Sequence, residues 1–230
     1  MRLFVFPLLS LIIFSSCTNN PEIVRAGDVK PENIYYDYKV SGEEGNEEVT
    51  IMLQYRQGGK NGPALELDSP SKVSIDGVEL KTNNAGITGT FYEAIKPAES
   101  FKGPHTIIFT DKNNHQHKEE FEYHPFFIDS DLRDKIKKEP FTIRLSPLPS
   151  LTTVRLVMTD TAFETRDVNE ILKIERGELK IDSQMLANLK SGPVSLEIYR
   201  EEERPVKNGS TVGGRLQITY VLKREFEFVQ

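Results

Sequence analysis

The chain has 230 residues, of which 37% are hydrophobic and 28% are charged, and it contains 13 Phe and 8 Tyr but no Trp. This composition is typical of a globular protein and is too apolar for a disordered one. The formal net charge of −6 argues against nucleic acid as a partner and against a polybasic contact with a membrane, because both need clustered positive charge.

The first sixteen residues have the pattern of a secretory signal peptide. Arg2 is followed by a mostly apolar run from Leu3 to Phe14 and then by small polar residues. About twelve residues rise roughly 18 Å in a helix, which is short of the roughly 30 Å hydrocarbon core of a bilayer, and Pro7 disfavours a long helix further. We therefore interpret residues 1–16 as an export signal and not as a transmembrane helix.

Cys17, the only cysteine, directly follows Ser15 and Ser16. This end of the leader resembles the lipobox of bacterial lipoproteins, although Phe14 stands where that family usually has Leu. The resemblance implies cleavage between Ser16 and Cys17, attachment of diacylglycerol to the thiol and acylation of the new amino group. The alternative is a chance thiol at a simple secretory cleavage site, which would leave a free cysteine in an oxidising compartment.

A lipid on Cys17 predicts a protein of the bacterial cell envelope, held on a membrane that we expect to be the outer membrane. Two or more acyl chains bind a bilayer firmly, whereas one binds marginally. No acidic run follows the cysteine, so the sequence leaves open whether the body faces the periplasm or the cell surface. Residues 17–32 are polar and interrupted by Gly27 and Pro31, which predicts a lipidated tether.

Alternation of apolar and polar residues with a period of two dominates the first half of the chain. The alternating sets are Ile34, Tyr36, Tyr38 and Val40; Val49, Ile51, Leu53 and Tyr55; Val73 and Ile75; and Val78 and Leu80. Further strands are predicted at 88–95, 105–110 and 117–127. The Asp76-Gly77 pair predicts a type I′ hairpin, because Gly tolerates positive φ. These strands predict a β-sandwich over residues 33–127.

The second half, residues 128–230, has the same strand rhythm. The predicted strands carry Phe141, Ile143 and Leu145; Val154, Leu156 and Met158; Ile171 to Ile174; Leu179 to Ile181; Val194, Leu196 and Ile198; and Leu216, Ile218, Tyr220, Leu222, Phe226 and Phe228. Two short helices are predicted, at 130–138 and at 183–189, with Ser183 as the cap of the second.

Two pairs of segments repeat between the halves. Phe101 to Pro104 and Lys190 to Pro193 each open a strand at a Gly-Pro pair, and 118–123 is echoed by 223–228. The second copy is longer, which predicts a longer final hairpin around 200–214. Chance similarity between charged hairpins is the alternative.

Regular short strands separated by turns predict an all-β chain of two antiparallel sandwiches in tandem. In strand rhythm the chain resembles the tandem immunoglobulin-like (Ig-like) modules of cell-envelope lipoproteins. It lacks the Cys…Trp…Cys core of true Ig domains, because it has no Trp and its one Cys precedes the sandwiches.

Few residues point to metal or catalytic chemistry. His115 and His117 would share one face of a strand with Glu119, near Asp111, and could bind a divalent ion, but an ordinary solvated hairpin tip explains the same residues. The chain has no G-x-S-x-G or H-E-x-x-H motif. The carboxylates Asp160, Glu164, Asp167 and Glu170, with Arg166 among them, are typical of a solvated loop. We therefore expect no enzymatic activity, no bound metal and no cofactor, and an unrecognised hydrolase is the alternative.

Three surface features favour binding functions. Tyr35 and Tyr92 are candidate stacking platforms for a glycan, although core packing is the alternative for both. Asp160-Thr161-Ala162 resembles a short O-glycosylation motif of envelope proteins. The charged segment Arg200 to Pro205, predicted as a loop, could recognise a partner or protect a sheet edge.

The resulting hypothesis is a membrane-anchored, non-enzymatic binding, adhesion or scaffolding module. A glycan-binding lipoprotein of a polysaccharide-uptake system is the alternative.

Overall fold

A computed structural model describes residues 24–85, 89–147, 152–162 and 167–230. The first half of the chain forms the strands β1 (Val24–Arg25), β2 (Ile34–Glu43), β3 (Glu48–Gln57), β4 (Leu65–Glu66), β5 (Lys72–Ile75), β6 (Val78–Glu79), β7 (Thr82–Ala85), β8 (Gly89–Pro97), β9 (Gly103–Thr110) and β10 (Gln116–Tyr123). The second half forms β11 (Phe127–Ile128), β12 (Lys135–Lys137), β13 (Phe141–Ser146), β14 (Thr153–Asp160), β15 (Val168–Lys173), β16 (Glu178–Ile181), the helix α1 (Ser183–Ala187), β17 (Gly192–Ser210) and β18 (Gly213–Val229). The predicted all-β class and its two tandem sandwiches are confirmed.

The first sandwich packs a sheet containing β2, β3, β8 and β7 against a sheet with the order β10-β9-β5-β6. The period-two pattern predicted its inward faces correctly: Tyr36, Tyr38, Ile51, Leu53 and Tyr55 are all buried. The predicted hairpin is also present. Asp76 and Gly77 have φ angles of 49° and 80° and join β5 to β6, so both central residues have the positive φ of a type I′ turn.

The second sandwich packs β15, β14, β17 and β18 against β11, β13 and β16. The helix predicted at 183–189 is present as α1, but its cap is Asp182, whose carboxylate accepts the N–H groups of Gln184 and Met185. The helix predicted at 130–138 is wrong. Residues Lys135–Lys137 form β12, which pairs in parallel with β18, because the edge of β18 offers backbone partners that satisfy an extended segment.

The final hairpin links the two sandwiches. β14 pairs with β17 only as far as Tyr199, and β17 continues beyond it to Ser210. β18 pairs in parallel with β2 from Gly214 to Val221, so one sheet with the order β15-β14-β17-β18-β2-β3-β8-β7 runs through both sandwiches. We call residues 200–221 the arm. The sequence predicted a longer final hairpin here, and the structure places its outer half against the first sandwich.

The repeated segments occupy equivalent positions. Gly103 and Gly192 open β9 and β17, and both have positive φ angles, of 94° and 129°. The echoed ends lie in β10 and in β18, and in each copy two aromatic residues are buried. The two hairpins are therefore alike at the strand starts and at the closing strands, and the arm accounts for the difference in length.

The start of the described chain is packed onto the first sandwich. Val24 and Arg25 pair in parallel with Leu65 and Glu66, and Ala26 is buried. Part of the segment predicted as a tether is therefore packed against the first sandwich. In the part of the chain that the structure describes, no helix has the length and apolar character needed to cross a bilayer.

Candidate functional site

Two sheet edges face each other where the arm passes the first sandwich. β10 is the edge strand of its sheet, and among the described residues β17 pairs only with β18 beyond Tyr199. Side chains of the arm donate hydrogen bonds to backbone carbonyl oxygens of β10 and of the residue just after it: Arg204 to Glu120 (2.7 Å), Asn208 to Lys118 (2.7 Å) and Arg200 to His124 (2.9 Å). These bonds satisfy carbonyl groups that an open edge would leave unpaired, and they hold the arm at a fixed distance from β10.

A buried ion pair fixes the arm from the inside. Glu119 is 1% exposed, and its Oε1 lies 2.6 Å from Nη1 of Arg204. The same carboxylate binds the arm a second time, because its Oε2 accepts the backbone N–H of Lys207 at 2.7 Å. Because removing either partner would leave a charge with little water around it, this pair makes the position of the arm specific.

A cleft of about 680 Å³ lies between the arm and the β9–β10 hairpin. It is lined by Pro104, His105, Thr106, Glu120, Phe121, Glu122, His124, Arg200, Glu202, Arg204 and Lys207. Three carboxylates and three Lys or Arg side chains share this lining, so the cleft offers both hydrogen-bond donors and acceptors. Its volume is within the range of small-ligand sites, roughly 300–1,000 Å³.

The two arginines of the cleft are more buried than its carboxylates. The side chain of Arg200 is 8% exposed and that of Arg204 is 25% exposed, against 61% for Glu120 and 66% for Glu122. The carboxylates therefore lie toward the solvent, and the guanidinium groups lie deeper in the wall.

His105 is held in the wall by two contacts. Its Nδ1 lies 2.8 Å from Oδ2 of Asp76, and its ring stacks on Phe101 with centroids 3.6 Å apart. Its Nε2 is buried and has no hydrogen-bond partner among the described residues. The sequence indicated Asp76 only as a turn residue, because nothing in a single sequence pairs that turn with a residue 29 positions away.

The predicted metal ligands only partly come together. Oδ2 of Asp111 lies 3.2 Å from Nε2 of His117 and 3.6 Å from Nδ1 of His115, but Glu119 points into the first sandwich toward Arg204. Outside the gaps noted above, no group of three or more His, Cys, Asp or Glu side chains is placed to hold a metal ion.

Asp111 instead organises its turn. Burial raises the pKa of its carboxyl, but hydrogen bonds from the backbone N–H groups of His115 and Asn113 and from the His117 ring lower this pKa more, so the net pKa is below its usual value.

The other residues predicted to bind a ligand or lipid differ in their environments. Tyr92 is 2% exposed and its Oη accepts the N–H of Leu67, so it belongs to the core and offers no stacking platform. Tyr35 is half-buried on the outer face of β2. Cys17 and the cleavage site at Ser16 lie outside the described residues, so lipidation stays a prediction.

Asp160 binds two backbone N–H groups. Its carboxylate accepts those of Ala162 and Lys190, both at 2.7 Å. Asp167 and Glu170 are exposed, whereas Glu164 and Arg166 lie outside the described residues. Thr161 is exposed, and its glycosylation stays a prediction.

The charged segment Arg200 to Pro205 is the predicted feature that the cleft contains. The sequence predicted a loop, and the structure has a strand whose side chains bind the edge of β10. The charged composition of this segment therefore indicated a functional surface. The alternation of residues along the chain did not show that the segment lies against β10.

No protein-family model matches the chain. A comparison with curated proteins also gives no match. Among solved structures, a DIP-gamma IG1+IG2 structure is 11% identical with a TM-score of 0.22, and the match covers 81% of this chain and 94% of that one. The adhesin InvE of Yersinia pseudotuberculosis is 11% identical with a TM-score of 0.24, covering 89% of this chain and 61% of that one.

A third similar structure is SGBP-B from a mixed-linkage glucan utilization locus of Bacteroides ovatus, in complex with a mixed-linkage heptasaccharide. It is 9% identical with a TM-score of 0.21, and the match covers 83% of this chain and 60% of that one. Scores this low do not assign the chain to the family of any of these proteins.

Proposed function

We propose that the protein is a lipid-anchored, non-enzymatic binding module of a bacterial cell envelope, and that its ligand site is the cleft between the arm and β10. The observation that carries this proposal is the built wall of the cleft. The Glu119–Arg204 ion pair and the side-chain bonds to the edge of β10 hold polar groups at fixed positions around an open volume. Such pre-organisation lowers the entropic cost of binding a ligand.

The proposed anchor sets which end of the body lies near the membrane. Val24 lies seven residues after Cys17, and seven fully extended residues span at most about 25 Å. Lys112, in the turn after β9, donates to the carbonyl of Gly27, and the backbone N–H of Val212 in the arm lies 3.4 Å from the carbonyl of Glu32. With the proposed anchor on Cys17, that turn and the tip of the arm, which contact Gly27 and Glu32, would lie near the membrane.

The anchor is tested by metabolic labelling with radioactive palmitate. The wild-type protein should carry the label, and Cys17→Ser should not, because serine offers no thiol to diacylglycerol. Partition of each protein in a detergent phase separation provides the second readout. Label on the serine variant, or partition of the wild type into the aqueous phase, would contradict lipidation.

The ligand site is tested by photo-crosslinking in cells. A photo-reactive amino acid replaces Glu122, which is 66% exposed on the cleft wall, and a matched control replaces Arg144, which is 69% exposed on the second sandwich. A product of raised mass should form at position 122 and not at position 144. No product at 122, or equal products at both positions, would argue against the cleft as the site.

A further inference from the structure

The guanidinium of Arg200 is an incompletely compensated charge in the cleft wall. An arginine carries five N–H donors. In the described residues, Nη1 donates to the carbonyl of His124 at 2.9 Å and Nη2 lies 3.5 Å from a carboxylate oxygen of Glu202. The second contact is longer than the 2.7–2.9 Å of a strong charge-assisted hydrogen bond. Since buried charges are normally paired, this group retains capacity for another acceptor.

The planar guanidinium of Arg200 favours a carboxylate as this further acceptor. The planar fork of a guanidinium binds the two oxygens of an oxyanion through parallel hydrogen bonds. Glu120, Glu122 and Glu202 share the cleft lining, and a ligand with many charges would be repelled by them. A ligand with one isolated negative charge meets less of this repulsion than a polyanion does.

The remaining lining favours hydroxyl groups and not a polypeptide. The exposed carboxylates accept hydrogen bonds, and Lys207 donates them, so neutral groups that both donate and accept are complementary to this surface. The apolar lining consists of Pro104 and Phe121, and Phe121 is 5% exposed. Protein interfaces obtain much of their affinity from Trp, Tyr and Arg anchors in desolvated pockets, and Pro104 and the largely buried Phe121 give an aromatic anchor little apolar surface here.

Resting on the proposed function, we infer that the cleft binds an oligosaccharide containing uronic acid. Arg200 pairs with the carboxylate of one sugar residue, and the charged rim binds hydroxyl groups of that residue and its neighbours.

Isothermal titration calorimetry on the folded, lipid-free mature chain tests this inference. The probes are hexasaccharides that carry a single galacturonate or a single mannuronate among neutral sugars, each with a carboxyl-reduced counterpart of the same linkage, and a hexasaccharide with one sulfate in place of the carboxylate. At least one uronate probe should bind, and its reduced counterpart should bind roughly tenfold to a hundredfold more weakly, as expected for the loss of a charged hydrogen bond.

Variants of Arg200 make the test specific. Arg200→Met should remove the preference for the uronate over its reduced counterpart, and Arg200→Lys should keep part of it, because an ammonium keeps the charge but not the fork. Arg144→Met is the matched control and should bind as the wild type does. If Arg200→Met does not fold, Glu122→Gln replaces it and should weaken the reduced probe several-fold and the acidic probe by less, because the substitution removes a charged acceptor together with a negative charge that repels the uronate.

Three results would overturn the inference: equal binding of acidic and reduced probes, stronger binding of the sulfated probe, or no binding of any hexasaccharide. Retention of the uronate preference in Arg200→Met would overturn the role of Arg200. A crosslink at position 122 together with no sugar binding would leave the proposed function standing and remove only the ligand class. Absence of both would remove the two together.

Discussion

The two sandwiches fill their hydrophobic cores with different side chains. The first buries Tyr36, Tyr38 and Tyr55 in contact with one another, with ring centroids 5.7–6.0 Å apart. The core of the second is mainly aliphatic, with Leu156 and Ile198 among its fully buried residues. Tyrosine rings fill large volumes but bring hydroxyl groups that must find partners, whereas aliphatic side chains carry no such requirement.

The first core meets this requirement only in part. The hydroxyls of Tyr38 and Tyr55 lie 3.3 Å apart and share a hydrogen bond, while those of Tyr36 and Tyr123 are buried without a partner among the described residues. Tyr123 also depends on Gly42, because a Cβ there would lie 2.0 Å from its hydroxyl oxygen. The sheet of the first sandwich is also extended by β18, which pairs with β2 through its arm residues. The comparison indicates that the second sandwich is the self-contained half and the first is the dependent one.

The largest expected effect comes from separating the halves. A chain ending at Asp129 lacks β18, which pairs with β2 over Gly214–Val221, and lacks Arg204, which pairs with buried Glu119. We expect this shortened chain to lose its cooperative thermal transition in circular dichroism, with the full chain measured beside it. A cooperative transition near that of the full chain would show that the first sandwich folds without the arm.

Alkaline pH should act mainly on the first sandwich. Burial raises the pKa values of Tyr36, Tyr38, Tyr55 and Tyr123 well above 10, and burial also raises the pKa of Tyr220, which packs against Tyr123, to about 12. A raised pKa in the folded state contributes stability that is complete below the unfolded pKa of about 10 and is lost as pH rises through the folded pKa.

Urea unfolding at a series of pH values should therefore give a stability that is level below about pH 10 and falls toward pH 12. Tyrosinate absorbance should rise together with unfolding, and Tyr38→Phe should reduce the slope. A stability that is unchanged up to about pH 12 would contradict the buried, protonated state of these hydroxyls.

A smaller effect should follow from breaking the ion pair that fixes the arm. Arg204→Met leaves Glu119 charged and buried, and we expect a loss of about 3 kcal/mol in the free energy of unfolding. The double variant Arg204→Met/Glu119→Met should recover most of that loss, because it removes both charges together. Chemical denaturation measures both, and a single variant as stable as the wild type would show that the pair does not hold the arm.

The smallest effect concerns the helix of the second sandwich. Asp182→Ala removes the carboxylate that accepts the N–H groups of Gln184 and Met185, and it should cost about 1 kcal/mol. Ser183→Ala is the matched control and should change the stability by less, because Ser183 is the first helical residue and not the cap. An equal or larger loss from Ser183→Ala would place the cap at the residue predicted from sequence.

The sequence-based predictions that succeeded depend on neighbouring residues, and those that failed depend on contacts between distant parts of the chain. Period-two alternation located the inward faces of β2 and β3, and the Asp76-Gly77 turn followed from glycine's freedom at positive φ, because both depend on neighbouring residues alone. The strand at 135–137 was mistaken for a helix because its partner, β18, lies about 90 residues away.

For the candidate site the same division holds. The sequence singled out the charged segment 200–205, and by itself it determined the strand rhythm, the two-sandwich organisation and the longer second hairpin. Only the tertiary structure decided that this hairpin leaves its own sandwich and that Arg200 and Arg204 meet the edge of β10. A strand pattern specifies which face of a strand is buried, but it does not specify which distant edge completes the sheet.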